Sequence, residues 1–264
     1  MFAIVFPQID PILLDLGLLQ IKWYGVAYAV SLIIGIYLLQ KLSIQKSIRY
    51  GANLITSKQL DSLMMYMITG MILGGRLGFV SFYKPYWFIE RPLMVLNTIE
   101  GGMSFHGAFI GMLISLIIFC KKNKLLFFAM SDLICVVAPI GLFFGRCANF
   151  INSELYGRIT NCRLGVIFPN GGPLLRHPSQ LYEAMLEGIV LFLLMIILFF
   201  KTNLPATNGF LTGIFMIGYA VARVTVEEFR EPDLYIGYIT IGQALTIPMF
   251  IGGLLIIKFT KKQL

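Results

Sequence analysis

Seven long apolar stretches follow one another along the chain, and each is near the length needed to cross a bilayer. The hydrocarbon core takes about 20 apolar residues of helix, with a range of roughly 17 to 25. The stretches run from about Trp23 to Leu39, Leu60 to Tyr83, the Gly101–Gly107 segment to the lysines at 121, Leu125 to Phe144, Leu181 to Phe200, Phe210 to Phe229 and Ile241 to Ile257. In lipid a backbone polar group must find its partner within its own segment, so such runs fold as helices. The expected fold class is therefore all-α: a polytopic membrane protein with seven transmembrane helices, forming one domain over residues 1–264. Composition agrees, since only 13% of residues are charged and 58% are hydrophobic, against roughly 25% charged in a soluble domain.

Two segments do not fit the spanning pattern. Residues 1–20 are too short to cross and are expected to lie at the interface as an amphipathic segment. Residues 150–177 form the one sizeable hydrophilic insertion, a small extracytoplasmic head with a turn at Gly171, Gly172 and Pro173. Basic residues cluster at Lys41, Lys46, Arg49 and Lys58, at Lys121, Lys122 and Lys124, at Lys201, and at Lys258, Lys261 and Lys262. All of these fall on one face of the membrane if the N-terminus is outside, which gives N-terminus out and C-terminus in the cytoplasm. The net charge of +8 is thus explained by topology and anionic lipid, and it does not point to nucleic acid. Arg146, Arg158, Arg163, Arg176 and Arg230 fall on the other side, against the rule, which suggests that a bound anion holds some of them.

The four cysteines, Cys120, Cys135, Cys147 and Cys162, form no CxxC pair, and neither a zinc site nor a disulfide framework is expected. Asp10 and Asp15 precede the first span and no basic residue occurs before Lys22, so a cleavable signal peptide is not expected either. Gly70, Gly74 and Gly78, spaced by four, line a smooth face of the second span where another helix can approach closely. Arg76 lies off that face.

Polar exceptions inside the apolar runs carry the functional signal. The fourth run ends in GRCANFINSELYGR, Gly145 to Arg158, which gathers Arg146, Asn149, Asn152, Glu154 and Arg158. Arg76, His106, Gln180, Glu183, Arg223 and Glu227 sit in or at the edge of other runs. A charge at the bilayer centre costs about 2.5–3.5 kcal/mol on insertion scales, so such groups need partners, water or a ligand. Tyr219, Arg223, Glu227 and Arg230, spaced by 4, 4 and 3, place a polar stripe on one face of the sixth helix. Arg223 and Glu227 either neutralise only each other or leave the arginine for an anion. Arg146 and Asn149 repeat the pattern on the fourth helix, and two arginines from two helices suit a phosphate. His106 either bridges helices or transfers a proton. Glu183 and Glu187 read as hydrogen-bonding fasteners between helices, and His177 as a loop-fixing residue.

These residues fall in blocks that together resemble the bacterial prolipoprotein diacylglyceryl transferases. The blocks are GRCANFINSELYGR, WYG at Trp23–Gly25, GGRLGFV at Gly74–Val80, GGMSFHG at Gly101–Gly107, RHPSQLYEA at Arg176–Ala184, EFREPD at Glu228–Asp233 and GQALTIPM at Gly242–Met249. The resemblance spans nearly the whole chain in the family's order. It implies a transferase of the bacterial inner membrane that moves the diacylglyceryl group from phosphatidylglycerol to the thiol of the lipobox cysteine in a preprolipoprotein signal peptide, forming a thioether and releasing glycerol 1-phosphate. The family's functional positions fall on Tyr24, His106, Arg146, Asn149, Glu154, Gly157, Tyr219, Arg223 and Glu227. From these we expect His106, Arg146, Arg223 and Tyr219 to be catalytic, and Tyr24, Asn149, Glu154, Gly157 and Glu227, with Arg76, to bind substrate. Arg146 and Arg223 are expected on the phosphate, Asn149 and Tyr24 as orienting donors, Glu154 and Glu227 as carboxylates that fix the arginines, and His106 as proton acceptor. No cofactor and no metal is required, and the expected partners are lipid and signal peptide, with the chain as a monomer.

Three other readings are weaker. An intramembrane serine protease would need Ser104 and His106 as a pair, yet residues two apart on a helix point about 200° apart. A metal-dependent phosphatidyl transferase would need grouped aspartates, which the sequence lacks. A channel would spread polar groups along a path, whereas most of the exceptions here collect toward one side.

Overall fold

The computed structural model describes residues 4–7, 9–17, 20–51, 55–97, 101–232 and 234–260. Among them are seven helices long and apolar enough to cross a membrane: α1 (Trp23–Tyr50), α2 (Ser57–Tyr83), α3 (Phe105–Asn123), α4 (Phe127–Ile151), α5 (Ser179–Lys201), α6 (Phe210–Glu227) and α7 (Ile241–Phe259). Helix ends differ from the apolar limits for local reasons. Helix α1 continues past Leu39 through Lys41, Lys46 and Arg49 to Tyr50, because lysine and arginine are good helix formers. Helix α3 begins only at Phe105, where the Ser104 hydroxyl accepts a hydrogen bond from the Gly107 amide at 3.2 Å. Gly101 and Gly102 just before it have φ of +78° and +81°, a left-handed backbone that cannot start a right-handed helix. Lys261, Lys262 and Asp233 lie outside the described residues.

The N-terminal residues form strands. β1 (Ile4–Val5) pairs in parallel with β4 (Val166–Ile167), and β2 (Ile12–Asp15) pairs antiparallel with β3 (Gln20–Lys22). Phe6, Val166 and Phe168 are buried together against Ile9, Phe150 and Tyr156, so apolar burial fastens the N-terminus to the inserted head. Leu13, Leu14 and Leu16 stay exposed, which leaves an apolar edge suited to an interface. A last hairpin, β5 (Tyr235–Ile236) with β6 (Ile239–Thr240), leads into α7.

The chain divides into two compact units, one of Met1–Leu42 with Ser131–Leu264 and one of Ser43–Met130. In the second unit the α2 glycines do what their spacing predicts. A Cβ added at Gly70, Gly74 or Gly78 would fall under 3.0 Å from backbone atoms of Gly107 or Gly111 on α3, so the two helices touch backbone to backbone. Arg76 is 1% exposed and anchors the loop that follows α2. Its Nε donates to the Val95 carbonyl at 3.1 Å, Nη2 to Met94 at 2.7 Å, and Nη1 to Gly101 at 2.6 Å and Gly102 at 3.1 Å. These acceptors would otherwise be bare carbonyls, and the arginine satisfies them while shedding its own desolvation cost.

In the first unit, α4, α5, α6 and α7 alternate in direction, so the end of α4, the start of α5, the end of α6 and the start of α7 meet at one end. At the other end, buried Asp132 of α4 caps α6. Its carboxylate accepts from the amides of Gly209 at 2.8 Å and Thr212 at 2.7 Å and from the Thr212 hydroxyl at 2.7 Å. A negative charge on the first turn of a helix is favoured there by the unpaired amides and the helix dipole.

Candidate active site

Where the four helix ends meet, three arginines and three glutamates are gathered. Arg146 from α4 bonds Glu183 through Nη1 at 3.0 Å and Glu187 through Nη2 at 3.3 Å. Arg223 from α6 bonds Glu183 through Nη1 at 2.6 Å and Glu227 through Nη2 at 2.8 Å, with Glu187 at 3.6 Å. Arg230, just past α6, reaches the same Glu183 oxygen at 3.0 Å. Glu183 is therefore a hub: arginines from three positions converge on one fully buried carboxylate. Glu227 also accepts from the Thr240 hydroxyl at 2.8 Å, and Gly242 leaves room for it, since a Cβ there would lie 2.5–2.6 Å from the Glu227 carboxylate.

The cluster is formally neutral, with three charges of each sign, and its two layers differ in exposure. The Glu183 and Glu187 side chains are 0% exposed, and Glu227 is 2%, while Arg146 keeps 17% and Arg223 12%. The carboxylates form the fully buried backing, and the Arg146 and Arg223 side chains keep a small exposure. Each guanidinium carries five N–H donors, so the contacts to the backing leave donors for a ligand. Arginines preorganised in this way have the chemistry to bind an anion. Tyr219, one turn before Arg223, lies within electrostatic reach of Arg146, Arg223 and Glu187.

A local irregularity in α5 supports this backing. Ala184–Val190 is a π-helical segment, a wider turn that recurs at functional sites. It begins just after Glu183 and contains Glu187, and both acids reach across to α4 and α6. Gly188 closes the approach, because a Cβ there would meet the Phe143 backbone at 2.9 Å.

The rest of the signature loop is stitched to neighbouring motifs. Asn149 donates to the Tyr24 hydroxyl, which joins α4 to the start of α1. Gly157 bonds the His177 carbonyl at 2.8 Å, and a Cβ on it would strike the Phe229 carbonyl and His177, so only glycine fits. Arg158 donates through Nε to the Arg230 carbonyl at 2.8 Å, and Arg176 pairs with Glu231 at 2.5 Å. Glu154 sits between Ser153 and Leu155, both with left-handed φ, +54° and +57°, a strained backbone in residues other than glycine. The His177 ring meets the Tyr182 hydroxyl at 3.3 Å. Burial lowers its pKa.

The predicted residues thus separate into groups. Arg146, Arg223, Glu227 and Tyr219 come together in the first unit, and Tyr24, Asn149, Glu154 and Gly157 line the adjoining loop. His106 belongs to the unit of Ser43–Met130, where its exposed ring makes an edge contact with Phe105. Arg76, also in that unit, donates to backbone carbonyls as described. The arginines are fixed by Glu183, Glu187 and Glu227; Glu154 instead accepts from Asn152 Nδ2 at 3.1 Å. Glu183 and Glu187, expected as hydrogen-bonding fasteners between helices, do join α5 to α4 and α6; that their partners are the arginines was not legible, because those partners are far away in sequence. The available signal was balance, since buried arginines on separate elements require carboxylates at the same depth.

A family model described as Prolipoprotein diacylglyceryl transferase matches residues 11–259. The chain is 47% identical over 258 residues to the phosphatidylglycerol–prolipoprotein diacylglyceryl transferase of Rickettsia bellii strain OSU 85-389, with 96% of each chain covered. It is 46% identical over 252 residues to the protein of the same name from Rickettsia felis, covering 94% of this chain and 95% of that one. Against the Allorhizobium ampelinum protein of that name it is 45% identical over 261 residues, covering 96% and 91%.

Proposed function

The chain belongs to the prolipoprotein diacylglyceryl transferase family, and from that premise we propose that it moves the diacylglyceryl group of phosphatidylglycerol onto the lipobox cysteine thiol of a preprolipoprotein. The bond from the diacylglycerol carbon to the phosphate oxygen breaks and a carbon–sulfur bond forms. The thiol proton passes to a base, and glycerol 1-phosphate departs with the bonding electrons. In this reading the chain works as a monomer in the bacterial cytoplasmic membrane, with the N-terminus and residues 150–177 outside and the C-terminus inside. The basic clusters support that orientation. With a Cys-less background, an impermeant thiol reagent applied to intact cells labels Gly172→Cys and spares Lys122→Cys; the reverse pattern refutes it.

The observation that carries the reading is the pair of slightly exposed arginines, from two helices, held on a buried carboxylate backing. The nucleophile is the substrate's own thiol, so the protein needs none. Its work is to align sulfur with carbon, to help remove the proton and to stabilise the leaving phosphate. Negative charge grows on the bridging phosphate oxygen as the bond breaks, and Arg146 and Arg223 are assigned to that oxygen and its neighbours. Glu183, Glu187 and Glu227 hold both guanidiniums in one geometry and, with Arg230 as the third cation, keep the cluster neutral. Tyr24 and Asn149, bonded to each other, orient the headgroup, and Tyr219 lies beside the arginines. Arg76 is assigned to holding its own loop.

A free thiol with pKa about 8.5 is only a few per cent thiolate near neutrality, so a base speeds the reaction. His106 is assigned that role. His106→Gln then lowers turnover by roughly 100-fold or more while the protein unfolds at the wild-type temperature. Wild-type turnover with a lowered unfolding temperature identifies a bridging residue instead. The reading as a whole is tested by incubating the purified protein with phosphatidylglycerol and a lipobox peptide. Absence of thioether product, with ion flux in liposomes, would replace it with a transport function.

A further inference from the structure

Beside the arginine cluster, two side-chain amides are each tied down by their nitrogen and leave an oxygen with no partner among the described residues. Gln180 is fully buried; its Nε2 donates to the Glu154 main-chain carbonyl at 2.6 Å, and its Oε1 is buried and unpartnered. Asn152 donates from Nδ2 to the Glu154 carboxylate at 3.1 Å, and its Oδ1 is likewise buried and unpartnered. A carbonyl and a carboxylate only accept, so turning either amide over would set oxygen against oxygen; the assignment of both is determined. Glu154 thus orients two amide oxygens at once, one through its main chain and one through its side chain. Ser153 Oγ, in the same turn, is a third buried group without a partner.

The position of these acceptors relates them to the clamp. Gln180 precedes Glu183 by three residues on α5, which puts both on one helix face a turn apart, and Glu183 holds Arg146, Arg223 and Arg230. A buried acceptor without a partner is unfavourable until a donor arrives. A lipid whose phosphate sits on the arginines brings its headgroup to their edge, and a glycerol headgroup offers two free hydroxyls, both donors.

We propose that Gln180 Oε1 and Asn152 Oδ1 form a headgroup subsite that accepts hydrogen bonds from the two hydroxyls of the glycerol leaving group, so that the protein reads its lipid as a polyol phosphodiester. The proposal rests on the transferase reading and adds the residues that select the headgroup. Sites built to pair a substrate hydroxyl discriminate strongly against an analogue lacking it, because their own polar groups are then left unpaired.

The test compares kcat/KM of the full chain for phosphatidylglycerol and for phosphatidyl-1-propanol, which has the same phosphodiester and a three-carbon headgroup without hydroxyls, using one lipobox peptide as acceptor. The wild type prefers phosphatidylglycerol by roughly tenfold or more. Gln180→Met keeps an unbranched side chain without the amide, and Asn152→Ala removes the second acceptor. Each brings the preference to within about threefold, through a larger loss on phosphatidylglycerol than on the propanol lipid. A wild-type preference near one overturns the subsite without any variant, and so does a full preference retained in either variant. If Gln180→Met does not fold, the wild-type ratio and Asn152→Ala decide. Product from neither lipid with the wild type is a different result, since it removes the transferase reading and the subsite with it.

Discussion

Arg146→Lys and Arg223→Lys each lower turnover on phosphatidylglycerol by about 10²- to 10³-fold, the loss seen when one preorganised donor to a developing oxyanion, worth about 3–4 kcal/mol, is removed. Lysine keeps the charge and loses the planar fork. At these positions the fork has two jobs. Arg223 bonds Glu183 through one terminal nitrogen and Glu227 through the other, and Arg146 likewise divides its two between Glu183 and Glu187. A single ammonium cannot span two carboxylates and still present donors outward. Because the clamp acts on charge that grows in the transition state, the effect falls on kcat more than on KM. Lys201→Ala is the control, since Lys201 is exposed at the far end of α5 and should leave turnover near wild type. Wild-type turnover in either lysine variant removes the clamp.

Glu183→Ala is expected to destabilise the protein by about 3–5 kcal/mol, the range found when one member of a buried ion network is deleted and its partners stay charged. Three arginines lose their common acceptor at once, and arginine does not escape by deprotonating. Glu183→Gln separates charge from shape. It retains the packing and one acceptor oxygen, so it should unfold between the wild type and the alanine variant. Thermal unfolding in detergent, followed by tryptophan fluorescence or by loss of monodisperse protein, measures both. If Glu183→Ala unfolds within about 2 °C of wild type, a shift corresponding to less than roughly 1 kcal/mol for a chain of this size, then the carboxylate is not the hub its contacts indicate.

Some of the site was legible before any coordinates. The i, i+4 spacing of Arg223 and Glu227 predicts the pair that forms at 2.8 Å, because helical geometry alone brings those positions together. The α2 glycine stripe predicts its contact with α3 for a similar reason: four-residue spacing lines up one face. Glu183 and Glu187 were visible as intramembrane acids, yet their partners stand about 40 residues away on other helices. No local periodicity encodes that distance. Arg76 differs, since an intramembrane arginine reads by default as functional, and the partners that the fold supplies to it are the carbonyls of its own loop.

The sequence by itself determined the class of fold, the seven spans and the family, because hydropathy and motif blocks are properties of short contiguous segments. It also determined which segments hold charge where lipid would exclude it. Only the tertiary structure decided which charges pair, that Glu183 gathers three arginines, that a π turn in α5 carries Glu187 just after Glu183, and that Glu154 anchors two amides whose oxygens have no partner among the described residues. Those outcomes depend on helix ends meeting in space, and partner choice there is set by depth, direction and the cost of leaving a buried polar group unpaired.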